Sequence, residues 1–285
     1  MAISNSLNSG VNGMKAFSKS LEVIGDNISN VNTTGFKGSR VTNQDNFSET
    51  LKYSSTGVAG AAAGNNSMQI GSGSSVASIS QEFTQGVLNT TGGPTDLGIS
   101  GKGFFTVKSP SGEFCFSRAG DFQLDTAGNL LTSNGYNVCD TTGASITIPV
   151  VTGTKPLQSF RIDKNGEIFA TYADTTPAAT AVKTIGLTSF ANPNALMRIG
   201  NNLLTNGTDT TNTARTAGPA GATAAANATD NLNFGDIIQG TLEMSNVDLT
   251  EQFSDLIVAQ RAFQANSRIV TVSDSVLEEV VNLKR

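Results

Sequence analysis

The chain has 285 residues, room for one large domain or two modest ones and ample for a buried core. Hydrophobic residues make up 38% and charged residues 14%, both low, and the net charge of −5 is too small for a chain disordered throughout. There is no His, which excludes imidazole catalysis and His-ligated metal, the two Cys cannot form a zinc site alone, and a pI of about 4.8 argues against nucleic acid.

All seven prolines fall between Pro94 and Pro219, so both ends of the chain are free to hold long helices. At the N-terminal end one apolar series is Ile3, Gly10, Phe17, Ile24 and Val31, and a second is Leu7, Met14, Leu21 and Ile28. They alternate in steps of four and three, the a/d seam of a coiled coil, and predict a helix over 3–31 with a stop at Gly35. Gly10, Gly13 and Gly25 weaken that helix, so it needs others to cover it. The opening residues show no basic region followed by an apolar run, so no Sec-type signal peptide is expected. No apolar run is long enough to span a membrane, so no insertion is expected.

From about 36 to 75 the chain reads as an extended connector, irregular and rich in Gly, Ala and Ser after residue 54. From about Val76 the period becomes two: Leu97 and Ile99, Phe105 and Val107, Phe114 and Phe116, Phe122 and Leu124. Turn signals separate these runs at Ser111-Gly112, Ala127-Gly128, Asn134-Gly135 and Asn165-Gly166. Residues 205–230 are mostly Thr, Ala, Asn and Gly and read as a long surface loop.

At the C-terminal end Leu249, Leu256, Phe263, Val270 and Leu277 repeat every seven residues, with Ala259, Asn266, Ser273 and Val280 between them. Asp248 and Glu251 form a capping pattern at the start, and Lys284 and Arg285 suit the dipole at the end. The fold class expected is α+β: paired N- and C-terminal coiled-coil-type helices and a central antiparallel all-β outer domain. The expected divisions are 1–35, 36–75, 76–240 and 241–285, with residues 76–234 folding alone.

No chemistry emerges from the motifs. Gly101-Lys102-Gly103 fails the phosphate-loop pattern at Asp96 and at Gly103, and no complete G-x-G-x-x-G is present. Asp163-Lys164-Asn165-Gly166-Glu167 lacks the remaining calcium ligands, and a hairpin turn with Asn165-Gly166 at its tip is the stronger reading. No G-x-S-x-G elbow appears. Cys115 points away from Phe114 and Phe116 on a strand, and the sequence leaves open whether it pairs with Cys139. The expectation is no catalytic residue, no cofactor and no metal.

Three blocks carry a resemblance. The first is Asn27-Ile-Ser-Asn30-Val-Asn-Thr-Thr-Gly35-Phe36-Lys37. The second runs from Asp96 through Gly103-Phe104-Phe105 to Phe116-Ser-Arg118-Ala-Gly120. The third holds Glu243-Met-Ser245-Asn246 and Gln260-Arg261-Ala-Phe-Gln-Ala-Asn266. In this order they resemble the signatures of the bacterial flagellar rod and hook protein family.

The resemblance implies a structural subunit, not an enzyme, that stacks helically into a hollow tube. Its heptad positions from Ile3 to Val31 and from Leu249 to Leu277 would be subunit interface. It implies export through the flagellar type III apparatus to the cell exterior. The implied partners are further copies of the chain and rod, hook-cap and hook–filament junction proteins. Within the family, Gln81-Glu-Phe83-Thr-Gln85-Gly86 and the ending Val281–Arg285 are hook-like, so a flexible hook subunit is expected. The chain is short for a hook protein, which keeps a distal rod subunit as the alternative, with a secreted β-rich adhesin behind both.

Overall fold

The two proline-free ends form the two long helices, α1 (Ala2–Ser29) and α2 (Leu249–Leu283). The structure is a computed structural model that describes residues 2–54, 64–149, 151–152, 155–172, 180–207, 215–219 and 234–283. The chain divides into two compact units: residues 1–29, 39–82 and 248–285 in one, 30–38 and 83–247 in the other. It is α+β, with a helix at each end and a central antiparallel β region.

In the first unit α1 and α2 run antiparallel against each other. Gly10 faces Val270 and the Asn266 carbonyl, Gly13 faces the Asn266 side chain, and Asn27 Nδ2 donates to Gln252 Oε1 at 3.0 Å. On α1 the deeply buried positions are Gly10, Gly13, Ala16 and Asn27, small residues that let the helices approach closely, while Leu7, Met14, Phe17, Leu21, Ile24 and Ile28 are half-buried. Asp248 caps α2, its Oδ1 accepting the N–H of Thr250 at 2.7 Å. Among the described residues four strands join the helices in this unit: β1 (Ser39–Asp45), β2 (Ser48–Lys52), β3 (Met68–Gly71) and β4 (Ser74–Gln81). β1 pairs with β4 and β2 with β3, both antiparallel.

β1, β2 and β3 occupy what the sequence reads as connector, and β4 lies mostly beyond it. Their residues are mostly polar and exposed, so no period-two apolar signal marks them. Amides on α1 tie down β1 and the turn between β3 and β4. Asn27 brackets Ser39, accepting its N–H at 2.9 Å and donating to its carbonyl at 2.8 Å, and Asn12 donates to the Ser72 carbonyl at 3.1 Å. Residues 55–63 of the expected connector lie outside the described residues.

The second unit is β-rich. Its strands are β5 (Leu88–Thr90), β6 (Leu97–Ser100), β7 (Phe104–Lys108), β8 (Phe114–Ser117), β9 (Phe122–Leu124), β10 (Leu130–Thr132), β11 (Asn137–Val138), β12 (Val151–Thr152) and β13 (Lys155–Ile162). They continue as β14 (Glu167–Tyr172), β15 (Thr180–Thr184), β16 (Gly186–Ser189), β17 (Met197–Gly200), β18 (Leu203–Thr205), β19 (Arg215–Pro219), β20 (Asp236–Gln239) and β21 (Thr241–Glu243). The largest sheet runs β17-β18-β8-β7-β11-β10-β9, with β16 also on β7 and β19 on β16. A second sheet runs β12-β13-β14-β15, and β20 pairs with β6 and β21 with β5. Apart from β19, most of the expected 205–230 loop lies outside the described residues.

One turn recurs at Ser109–Glu113, Asp125–Asn129, Thr132–Tyr136, Asp140–Ala144 and Asp163–Glu167. In each, the first residue's carbonyl accepts the N–H of the Gly three residues on, and its N–H donates to the carbonyl of the fifth residue. The Gly takes φ between +75° and +93°. This is a three-residue loop closed by a glycine bulge. Asn165 is therefore not at the left-handed tip of a two-residue turn: among the described residues only Asn201 and Asn202 have positive φ without being Gly, and they join β17 to β18.

The strand alternation separates neighbouring side chains into two cores. Phe105, Val107, Cys115, Phe122 and Val138 point into the larger one, Phe104 and Phe116 into the smaller with Phe190, Leu196 and Leu204. Register settles the cysteines as well. Cys115 lies opposite Val107 and shares its face with Val138, while Cys139 follows Val138 and so faces the other way. Both thiols are free and buried.

Candidate functional site

Three charged residues meet in the β-rich unit. Glu243, the last residue of β21, has a fully buried carboxylate. Its Oε1 accepts from Lys37 Nζ at 2.7 Å and from the Gly86 N–H at 2.9 Å, and its Oε2 from Arg118 Nη1 at 3.1 Å. Its backbone carbonyl accepts the Gly35 N–H at 2.7 Å. The Lys37 ammonium also donates to the Thr84 carbonyl at 2.7 Å, and Arg118 Nη2 to the Gly101 carbonyl at 2.8 Å. Burial lowers the pKa of both cations, and the Glu243 charge opposes that shift. Arg118 Nε is buried without a partner, with the guanidinium 5.3 Å over the Phe104 ring.

The other motif residues surround this triad or brace its supports. Gly35, at φ +67°, presses its Cα face on the backbone at Arg118 and Ala119, where a Cβ would come within 2.6 Å of the Arg118 carbonyl carbon. Phe36 is buried under the Arg198 guanidinium, 4.8 Å from its ring centre. Asn246 Oδ1 accepts the Gly38 N–H at 2.8 Å, and its Nδ2 donates to Thr84 Oγ1 at 2.8 Å. Asn30 accepts from Thr33 Oγ1, and Ser245 Oγ accepts the Val247 N–H. Gly103, at φ +129°, precedes the divergent pair Phe104 and Phe105.

The heptad residues lie in the first unit, except Val31, which falls beyond α1 in the turn that begins the second. Of Ile3 only the backbone is described. Leu256 and Val270 are half-buried on the α2 face turned to α1, whereas Leu249, Phe263 and Leu277 remain 36–39% exposed. Gln260 and Arg261 are exposed, and Asn266 is wedged against Gly10 and Gly13.

A cleft of about 330 Å³ lies among Asn30, Thr34, Ser117, Asp121, Asn134 and Asn202. Part of its lining is tied together: Asn202 Nδ2 donates to the Thr34 carbonyl at 2.8 Å and Ser117 Oγ to the Asn202 carbonyl at 3.0 Å. The Asn202 bond braces the loop ahead of Gly35.

Lys37, Arg118 and Glu243 stand within the three sequence blocks but carried no assigned role there. No pattern in the blocks singles them out: Lys37 is the one charge of the first, but the second also carries Asp96, Lys102, Lys108 and Glu113, and the third Arg261. The arrangement holds backbone in place and has no free nucleophile or base, so what it can do is structural.

The comparisons with known proteins follow the same blocks. A family model described as "Flagella basal body rod protein" matches residues 7–37, "Flagellar hook protein FlgE/F/G D1 domain" matches 98–170, and "Flagellar basal body rod FlgEFG protein C-terminal" matches 238–283. The flagellar basal-body rod protein FlgG of Bacillus subtilis (strain 168) is 42% identical over 285 residues, 98% of this chain and 99% of that protein. The chain belongs to the flagellar rod and hook protein family. The basal-body rod protein FlgG of Borreliella burgdorferi is 34% identical over 96% of each chain. The hook protein FlgE of Treponema pallidum is 46% identical over 134 residues, 47% of this chain but 28% of that protein. Membership makes this a structural protein of the bacterial flagellum and not an enzyme. Each charge of the triad falls inside a different matched segment.

Proposed function

We propose that the chain is the distal rod subunit of the flagellar basal body, polymerising helically into a stiff hollow tube after export through the type III apparatus. What carries this over the hook reading is length: relatives named as basal-body rod proteins align end to end, while the hook relative aligns over 28% of itself. The hook expectation thus gives way to its alternative, and with it the hook-cap and junction partners. The partners proposed are further copies and the neighbouring axial proteins.

A physical observation supports stiffness. A rod must resist bending, so its subunit contacts should interlock rather than slide. The β2–β3 ribbon is exposed along its length, with Phe47 89% and Tyr53 81% exposed beside it and Leu51, Met68 and Ile70 exposed within it. A bare two-stranded ribbon is marginal in water. Apolar cover from another subunit would both stabilise it and fix its position.

Deleting the gene tests the assignment. The expected result is basal bodies that end short of the distal rod. A complete rod with nothing beyond it would restore the hook reading.

A further inference from the structure

The cleft of the β-rich unit is built where the loop ahead of Gly35 meets the segment after β8, the turn after β10 and the turn joining β17 to β18. At about 330 Å³ it lies at the small end of ligand sites, with room for one side chain rather than a large cofactor. The buried hydroxyls of its lining are engaged: Ser117 Oγ donates to the Asn202 carbonyl, and Thr132 Oγ1 accepts the Tyr136 N–H at 3.1 Å. Others are open. Among the described residues the side chains of Asp121, Ser133, Asn134 and Asn201 have no hydrogen-bond or ion-pair partner.

Asp121 is half-buried and is the one charged side chain among the described residues that line the cleft. It stands opposite Asp96 across an isolated antiparallel bridge, and neither carboxylate has a basic partner among the described residues. Like charges placed directly opposite repel, so a cation brought to Asp121 is favoured.

The lining selects the kind of cation. One carboxylate is too few for a divalent metal, which gathers six or more oxygens, and no cluster of acids among the described residues could supply them. A guanidinium carries five N–H donors in a planar fork and no acceptor. It can bind the Asp121 carboxylate and reach the neighbouring hydroxyl and amide oxygens at once, where an ammonium is a single point charge.

We propose that the cleft receives an arginine side chain from a neighbouring copy of the chain. This rests on the polymer reading above. The matching charge is on the surface: Arg40, Arg261 and Arg268 are exposed and have no ion pair among the described residues.

Two measurements on the full-length chain test it. Millimolar N-acetyl-argininamide added to dilute monomer should shift the backbone amide resonances of Ser133, Asn134 and Asn201, and neutral N-acetyl-glutaminamide should not. Asp121→Asn should lose those shifts and keep the wild-type urea midpoint, since its carboxylate has no partner to lose. The concentration at which Asp121→Asn forms sedimentable tubes should rise at least about tenfold. One of Arg40→Gln, Arg261→Gln and Arg268→Gln should raise it as much and add nothing to Asp121→Asn. Absent shifts, or shifts that survive in Asp121→Asn, overturn the site. Normal assembly of Asp121→Asn, or additive effects with all three arginine variants, overturns the neighbouring copy as the source of the cation. A wild-type chain that binds the probe but is absent from every axial tube overturns the polymer reading and leaves the chemistry of the cleft standing.

Discussion

The Lys37 ammonium and the Glu243 carboxylate stand 206 residues apart in the chain and 2.7 Å apart in space. Arg118 closes the group from the other carboxylate oxygen, so residues from near both ends of the chain and from its middle share one buried charge cluster. Two cations around one anion in a dry site hold only while the anion is present. The β-rich unit is therefore closed by segments that the chain supplies first and last.

Glu243→Ala removes the anion and strands two buried cations. Breaking a buried ion pair from one side costs about 3–5 kcal/mol, and that is the expected loss, read as a fall in the urea midpoint of the full-length chain. A loss below about 1 kcal/mol would mean that water reaches Lys37 and Arg118 readily, contrary to their burial.

The same cluster predicts which fragments fold. A piece spanning 76–234 carries the strand pattern but lacks Lys37, Glu243, the Gly35 contact and the β21 partner of β5. It should show no cooperative thermal transition, whereas 30–247 should unfold in one step. A sharp transition in the shorter piece would show that the terminal segments are accessories. This departs from the expectation drawn from strand periodicity alone.

How far the sequence was legible depends on what kind of signal each element leaves. α1 and α2 could be read from period and cap because their apolar residues repeat along one face, and the core strands because Phe105, Val107 and Phe122 alternate. β1 to β3 could not, since their residues are mostly exposed and the side-chain amides of Asn27 and Asn12, which hold Ser39 and Ser72, leave no apolar rhythm. The triad was equally silent: Lys37, Arg118 and Glu243 are each one charge in a separate block, and only the fold brings them together. The recurrent glycine-bulged turn was half legible. Its Gly residues were visible, but Asn165-Gly166 suggested a tighter hairpin than the one formed.

Two glycines packed against neighbours should respond differently to substitution. Gly35→Ala forces a side chain into the left-handed region, about 1–2 kcal/mol, and drives its Cβ into rigid backbone at Arg118 and Ala119. Gly13→Ala meets only the end of the Asn266 side chain, 2.6 Å away, which can turn aside, and it gains up to about 1 kcal/mol of helix propensity. Thermal unfolding of the two variants should show a large loss for Gly35→Ala and a change within about 1 kcal/mol for Gly13→Ala. Equal losses would mean that the α1–α2 contact is as unyielding as the turn.

The cysteines give the last prediction. Cys115 on β8 and Cys139 just past β11 face opposite ways from strands that β7 separates, so oxidation should form no bond between them without unfolding the sheet. Burial raises both thiol pKa values, with Glu113 adding to the effect on Cys115. For Cys139, burial and to a lesser extent Asp140 push the value from the ordinary 9.0 to about 11, against an opposing pull from Lys108. The native state thus favours the protonated thiol. The stability this contributes is fully present below pH 9.0 and is lost as pH rises through about 11. At pH 8 neither thiol should react with a thiolate-selective reagent until urea unfolds the chain. Between pH 9 and 11, Cys139→Ala should flatten the fall in stability. Rapid native labelling of Cys139, or an unchanged slope in Cys139→Ala, would show that the thiol is open to water and that the core around β11 is looser than its packing implies.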